Sequence, residues 1–174
     1  MSRSTRTTDF LKECLSDALI RLMREKEFEK ISIKEIADTA GVGRATWFRN
    51  YKSKSEALTF KLVQLWNRFA DKHAIAVRNR FSLDNAADFF AFNYEIKNIL
   101  QIIYGANMQS AVYDTFYTVL SPQYCFNAEE CYQARFYSYG LFGFLDEWVR
   151  HDFKETTEEM TQIFYKVIEN GIKN

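Results

Sequence analysis

The chain has 174 residues, 47% hydrophobic and 26% charged, an ordinary globular balance that supports one substantial buried core or two small ones. One proline and six glycines leave too little turn material for an all-β fold, so the chain reads as all-α. The formal net charge is zero, but residues 1–80 hold 17 Lys or Arg against 10 Asp or Glu, +7, and residues 81–174 hold 6 against 13, −7. The first half therefore carries the electrostatic footprint of a partner for an anionic polymer, unless its surface helices merely differ in charge.

No run of about 18 uncharged apolar residues occurs and the N-terminus MSRSTRTTDF has no apolar signal core, so a cytoplasmic protein without a membrane partner is expected. Cys14, Cys125 and Cys131 lack C-x-x-C spacing, and His73 and His151 are the only histidines. Neither a disulfide framework nor a metal site is expected, and no cofactor. Cys125 and Cys131 read either as reduced buried thiols or as a redox pair.

In chain order, Phe10, Leu11, Cys14, Leu15, Ala18, Leu19, Leu22 and Met23 fall at helical spacing, with Thr7 or Thr8 as cap. Phe28 and Ile31 seat the linker that follows. Ser32 and Glu35 then form a capping box, in which each side chain satisfies an orphan amide of the first helical turn. Ile33, Ile36, Ala37 and Ala40 give that helix one apolar stripe, and Gly41 supplies the left-handed backbone of a helix stop. Val42 plugs the turn. A second short helix opens at Gly43 and carries Arg44, Ala45, Thr46, Phe48, Arg49 and Asn50. Arg44 and Thr46 stand at its N-terminal end, nearest to base edges, and Arg44 can bridge a guanine through O6 and N7. Lys34 and Lys54 suit phosphates. Phe48 suits a sugar or a thymine methyl, or else packing, and Trp47 and Tyr51 read as core. Two short helices about a glycine turn make a helix-turn-helix.

The residues Ile36-Ala37, Ala40-Gly41-Val42, Thr46-Trp47-Phe48 and Tyr51-Lys52-Ser53-Lys54 resemble the reading motif of the TetR family of bacterial transcriptional regulators. FEKIS before the motif and RATWFRNY within it look most like the group related to dihydroxyacetone kinase operon regulators. Phe48 stands where the family usually has a tyrosine, so a phosphate-contacting hydroxyl is missing. The resemblance implies about nine helices. Residues 1–53 would form a three-helix DNA-binding domain, and residues 54–174 a connecting helix with a helical effector-binding and dimerisation domain. It also implies a homodimer on double-stranded operator DNA. Two such reading helices must lie about 34–36 Å apart to enter successive major grooves, so the operator should be palindromic.

Ser53 and Glu56 form a second capping box ahead of Ala57, Leu58, Leu62, Leu65, Trp66 and Phe69, which predicts a long connecting helix to about Arg80. Further helices are expected after Ser82 and over about 93–120, with a break at Ser121-Pro122. Asn127 with Glu130 caps a long helix through Trp148 to about His151, and Thr156 with Glu159 caps another to about Asn170.

Aromatic density rises from 8 in residues 1–80 to 21 in residues 81–174. Phe89, Phe92, Tyr104, Tyr113, Phe116, Tyr117, Phe136 and Tyr139 are candidates to line a pocket for a small apolar or aromatic effector, the alternative being core packing. Gly140 and Gly143 lie three apart on an otherwise bulky helix, where glycine costs about 1 kcal/mol each, so a close backbone approach is the expected compensation. In the resembling family the last two long helices pair with their symmetry mates. That implies a dimer interface of Gly140, Gly143, Trp148, Met160, Ile163, Phe164 and Val167, against packing within one chain.

An enzyme would need converging nucleophilic or titratable residues, a metal motif or a phosphate loop, and none is found. A helical adapter without DNA binding shares the length but does not explain the charge split together with the glycine-turned motif. The best reading is a transcriptional regulator, a repressor released by an effector, or one controlled by a protein partner.

Overall fold

The computed structural model describes residues 3–75, 85–124 and 126–170; the expected course of the connecting helix beyond Ile75 and the expectation on Cys125 lie outside them. Among the described residues the chain is all-α: α1 (Arg3–Met23), a 3₁₀ turn (Phe28–Lys30), α2 (Ile33–Thr39), α3 (Arg44–Asn50), α4 (Lys54–Lys72), α5 (Ala86–Glu95), α6 (Lys97–Gly105), α7 (Gln109–Tyr124), α8 (Ala128–Arg150) and α9 (Thr157–Asn170). None of these helices is long and apolar enough to cross a membrane. They group into two compact units: the residues up to Leu65 with Ile102–Thr115, and Trp66–Gln101 with the residues from Phe116 on. The expected boundary after residue 53 is not where this grouping divides. The start of α4 stays with α1–α3, and the Thr59 hydroxyl donates to the Ala111 carbonyl at 3.3 Å, tying α4 to α7 within the first unit.

In the first unit the stripe of α1 buries Leu15, Ala18, Leu19 and Leu22 against Ile36 and Ala37 of α2 and Trp47 of α3. Burying side chains of this size removes them from water at about 1.5–3 kcal/mol each. Tyr51, just after α3, stacks obliquely on Trp47 at 5.2 Å, and its hydroxyl donates to the Lys12 carbonyl at 2.8 Å. Burial pushes that phenol well above its ordinary pKa, so it stays a donor. Lys61, on the apolar side of α4 and only 6% exposed, pairs with Asp17 at 2.6 Å and Glu13 at 3.4 Å on α1. A buried cation needs such partners, because unpaired it is strongly destabilising.

The second unit is built on aromatic edges. Phe90 of α5 meets Trp148 of α8 at 5.7 Å and Phe164 of α9 at 6.0 Å, both edge-to-face. Phe153 closes on Trp148 at 5.0 Å, and the Trp148 indole donates to the Glu155 carbonyl at 3.1 Å. Trp66 and Phe69 from the end of α4 pack on Phe92 at 5.1 and 5.5 Å. Polar groups in these cores bond their own helix: Asn93 donates to the Phe89 carbonyl and Ser138 to the Ala134 carbonyl.

Helix starts follow the expected caps in four of five places, the box at α2 among them. Asn127 accepts from the Glu130 amide, and Thr156 and Glu159 satisfy each other's amides. At α4 the Ser53 hydroxyl accepts from the Glu56 amide, but the Glu56 carboxylate takes the Lys52 amide instead of that of Ser53. The exception is α1, which begins at Arg3 with Thr7 and Thr8 already inside it. Helix ends depart further. α4 stops at Lys72 rather than near Arg80, because Ala74 at φ 54° lets the Ile75 amide reach back to the Ala70 carbonyl. The same closure at Asn107 ends α6, and at Asp152 it ends α8, there at Arg150 as expected near His151. α7 runs on through Pro122 to Tyr124, so the expected break at Ser121-Pro122 is not where the helix ends.

Candidate nucleic-acid interface

The capping box at α2 is complete: the Glu35 amide donates to the Ser32 hydroxyl at 3.2 Å, and the Ser32 amide to the Glu35 carboxylate at 2.9 Å. Lys26 donates to the same carboxylate, and with Ser32 it holds the Glu35 carboxyl down at about 2, far below its ordinary 4.5. α2 ends where Gly41 turns left-handed at φ 69°, returning the Gly41 amide to Asp38 and the Val42 amide to Ala37. Gly43 follows at φ −70° and ψ 145° as the N-cap of α3. The expected helix, glycine turn and second helix are thus all present.

Along α3, Trp47 is buried with Tyr51 beyond it, Thr46 and Asn50 are half-buried, and Arg44, Ala45, Phe48 and Arg49 are exposed. Their spacing at i, i+1, i+4 and i+5 puts these four on one face. That face presents two guanidinium groups, one ring and one methyl, the chemistry that reads phosphates and base edges. The Arg44 guanidinium lies over the Phe48 ring, 5.3 Å from its centre. Asn50 is committed locally, its amide donating to the Thr46 carbonyl at 2.7 Å.

The two lysines assigned to phosphates have partners in the protein. Lys34 pairs with Asp38 one turn on at 2.7 Å, an exposed pair that raises its pKa and that a phosphate can compete with. Lys54 turns inward: its ammonium donates to the carbonyls of Phe28 and Ile31 and lies 4.1 Å from the centre of the Phe28 ring. It fastens the 3₁₀ turn to α4, and burial lowers its pKa. Sequence reading missed Lys61. The signal was a lysine inside the stripe of Leu58 and Leu62, matched by two acids four apart on α1.

The residues read as pocket lining fall into different settings. Phe89, Phe92 and Phe116 are buried core, with Phe89 and Phe116 in contact at 5.6 Å. Tyr117 is half-buried beneath the Arg135 guanidinium. Tyr104 and Tyr113 fall in the first compact unit and the other six in the second. Phe136 and Tyr139 are 74% and 58% exposed, because α8 buries Ala134, Ser138, Leu145 and Trp148 on its opposite side.

The residues read as a dimer interface divide likewise. Trp148, Met160 and Phe164 are buried within the chain, the alternative of packing within one chain, while Gly140, Gly143, Ile163 and Val167 are exposed. No described atom outside their own helix backbone lies within 4 Å of where a β-carbon on either glycine would stand, so packing within the chain does not explain them. Tyr132, Phe136, Tyr139, Gly140 and Gly143 share one face of α8, and an open groove of about 480 Å³ runs past both glycines toward Ile163. Cys14 is a free thiol.

Comparison with known proteins gives two family matches. Residues 83–170 match the model described as transcriptional regulator C-terminal region, and residues 15–58 match bacterial regulatory proteins, tetR family. No curated protein sequence matches. Among solved structures, Lin0861 from Listeria innocua is similar at TM-score 0.75 and 15% identity, over 97% of this chain and 94% of that one. The fatty acid degradation regulator FadR from Bacillus halodurans is similar at TM-score 0.51 and 16% identity, over 94% and 96%. FadR from Bacillus subtilis, solved in complex with stearoyl-CoA, is similar at 0.50 and 14%, over 92% and 99%. At these identities the likeness establishes the fold.

Proposed function

The chain belongs to the TetR family of bacterial transcriptional regulators, and from that premise we propose that it is a cytoplasmic repressor that binds a palindromic operator as a homodimer and is released by an effector. The observation that carries the DNA reading is the exposed face of α3, with Arg44, Ala45, Phe48 and Arg49 together on a helix whose other side is anchored by Trp47. Arg44 reads a base edge, Arg49 and Lys34 meet phosphates, and Gly43 lets the backbone approach.

The homodimer is supported by the unpartnered face of α8 and α9 around Gly140, Gly143, Ile163 and Val167. Small residues on an open apolar face allow a second copy to approach closely, and two joined heads gain affinity that one head lacks. The effector is recognised through an apolar or aromatic group, free or carried on a polar headgroup. The aromatic content of residues 81–174 supports it, and FadR of Bacillus subtilis, with its stearoyl-CoA, offers acyl-CoA thioesters as the first class to try. FEKIS and RATWFRNY support placing the chain with the dihydroxyacetone kinase operon regulators within its family.

Selection of bound fragments from a random duplex pool tests this reading. It should return an inverted repeat whose half-sites are centred about one or more helical turns apart. Acyl-CoA thioesters titrated into the complex should then lower affinity, and the operator should lower effector affinity by the same factor. A pool without an enriched repeat contradicts the DNA reading, whereas a repeat that no effector releases contradicts the effector alone.

A further inference from the structure

We propose that Phe48 is a positioning residue for base reading, its ring holding the Arg44 guanidinium in the orientation that recognises a base. Phe48 is 61% exposed on the reading helix, although a single exposed phenylalanine needs no explanation of its own. What singles it out is the guanidinium carbon of Arg44 lying 5.3 Å from its ring centre, within the range of a cation–π contact.

Arg44 is the first residue of α3. Its neighbours three and four residues back are Gly41, which has no side chain, and Ala40, which has only a methyl. One turn forward at i+3 stands Trp47, buried in the core, so Phe48 at i+4 is the side chain able to steady a long arginine there. A carboxylate at that place would neutralise the charge and occupy the donors DNA needs, as Asp38 occupies Lys34. An aromatic face does neither, because it carries no formal charge and no strong acceptor and so leaves the guanidinium donors for the bound base. An arginine already oriented loses less freedom on binding.

This rests on the proposal that Arg44 reads a base, and the test separates the two. Duplexes carrying every single base change in the selected half-site are titrated with the wild type, Phe48→Leu, Phe48→Tyr, Arg44→Ala and the Arg44→Ala/Phe48→Leu double variant. Thermal unfolding serves as a check that each variant folds. Arg44→Ala identifies the base pair that the arginine reads. Phe48→Leu should reduce discrimination at that pair alone by about two- to fivefold. Phe48→Tyr, which keeps the ring, should restore it, and the double variant should match Arg44→Ala. Full discrimination in Phe48→Leu, an equal loss on every duplex, no rescue by tyrosine, or a Phe48 effect that persists without Arg44 would each overturn the positioning role. If Arg44→Ala keeps discrimination at every position, the base-reading assignment of Arg44 falls and carries this inference with it.

Discussion

The head divides its cations between two tasks. Arg44 and Arg49 project from the exposed face of α3, whereas Lys54 is spent on the carbonyls of Phe28 and Ile31. Replacing Arg44 with Ala should therefore cost about 1–3 kcal/mol on the selected operator and much less on unrelated duplex, read by titration of both. Lys54→Met should behave differently. It leaves two carbonyls without their ammonium and should lower the stability of the fold by about 1–2 kcal/mol in denaturant unfolding, with the salt dependence of DNA binding unchanged. The face of α3 was legible in part: spacing at i, i+1, i+4 and i+5 groups residues 44, 45, 48 and 49, but the half-burial of Thr46 and Asn50 was not read from it. The occupations of Lys54 and Asn50 were not legible. Which acceptor a flexible donor takes depends on carbonyls brought near by the fold, not on residue type.

Elements here are set by their ends more than by their propensities. Gly41 sits at φ 69°, where a β-carbon would meet no atom within 4 Å but would strain the backbone. Gly41→Ala should thus lower stability by about 1–2 kcal/mol through conformation alone, measurable as a shift of the denaturation midpoint at an unchanged slope. The capping box adds a pH dependence. Glu35 is held down at about 2 in the folded protein against an ordinary 4.5, so its contribution is complete above about pH 4.5 and is lost as pH falls toward 2. The stability difference between the wild type and Glu35→Gln should shrink over that window, and a difference that stays constant down to pH 2 would dissociate Glu35 from the box. Caps at Ser32, Asn127 and Thr156 were legible because the signal is local, two residues three apart. The ends at Ala74 and Asn107 were hidden, since residues other than glycine adopt the left-handed turn there only when the surrounding fold requires it, whereas α8 ends at Arg150, close to the expected His151.

At the scale of the molecule, the all-α class was readable from punctuation and spacing, whereas the order of head, connecting helix and helical C-terminal region came with the family resemblance. The division into compact units was not readable: residues 102–115 join the head through contacts such as Thr59 with Ala111, far apart in sequence and without a signature in either segment. The aromatics of the second half were ambiguous for a related reason. Phe90 and Phe136 look alike in a sequence, and only the orientation of their helices makes one core and the other surface. In the proposed dimer two copies, joined through the open face at Gly140 and Gly143, present two reading heads to one palindrome. Sedimentation velocity of the wild type and of Gly143→Leu, each with the selected operator duplex, is the direct test. Two wild-type protomers should bind each duplex. Gly143→Leu, with open space at its β-carbon, should fold but sediment as a monomer that binds the same duplex far more weakly. One wild-type protomer per duplex, or a Gly143→Leu protein that still binds as a pair, would contradict that dimer.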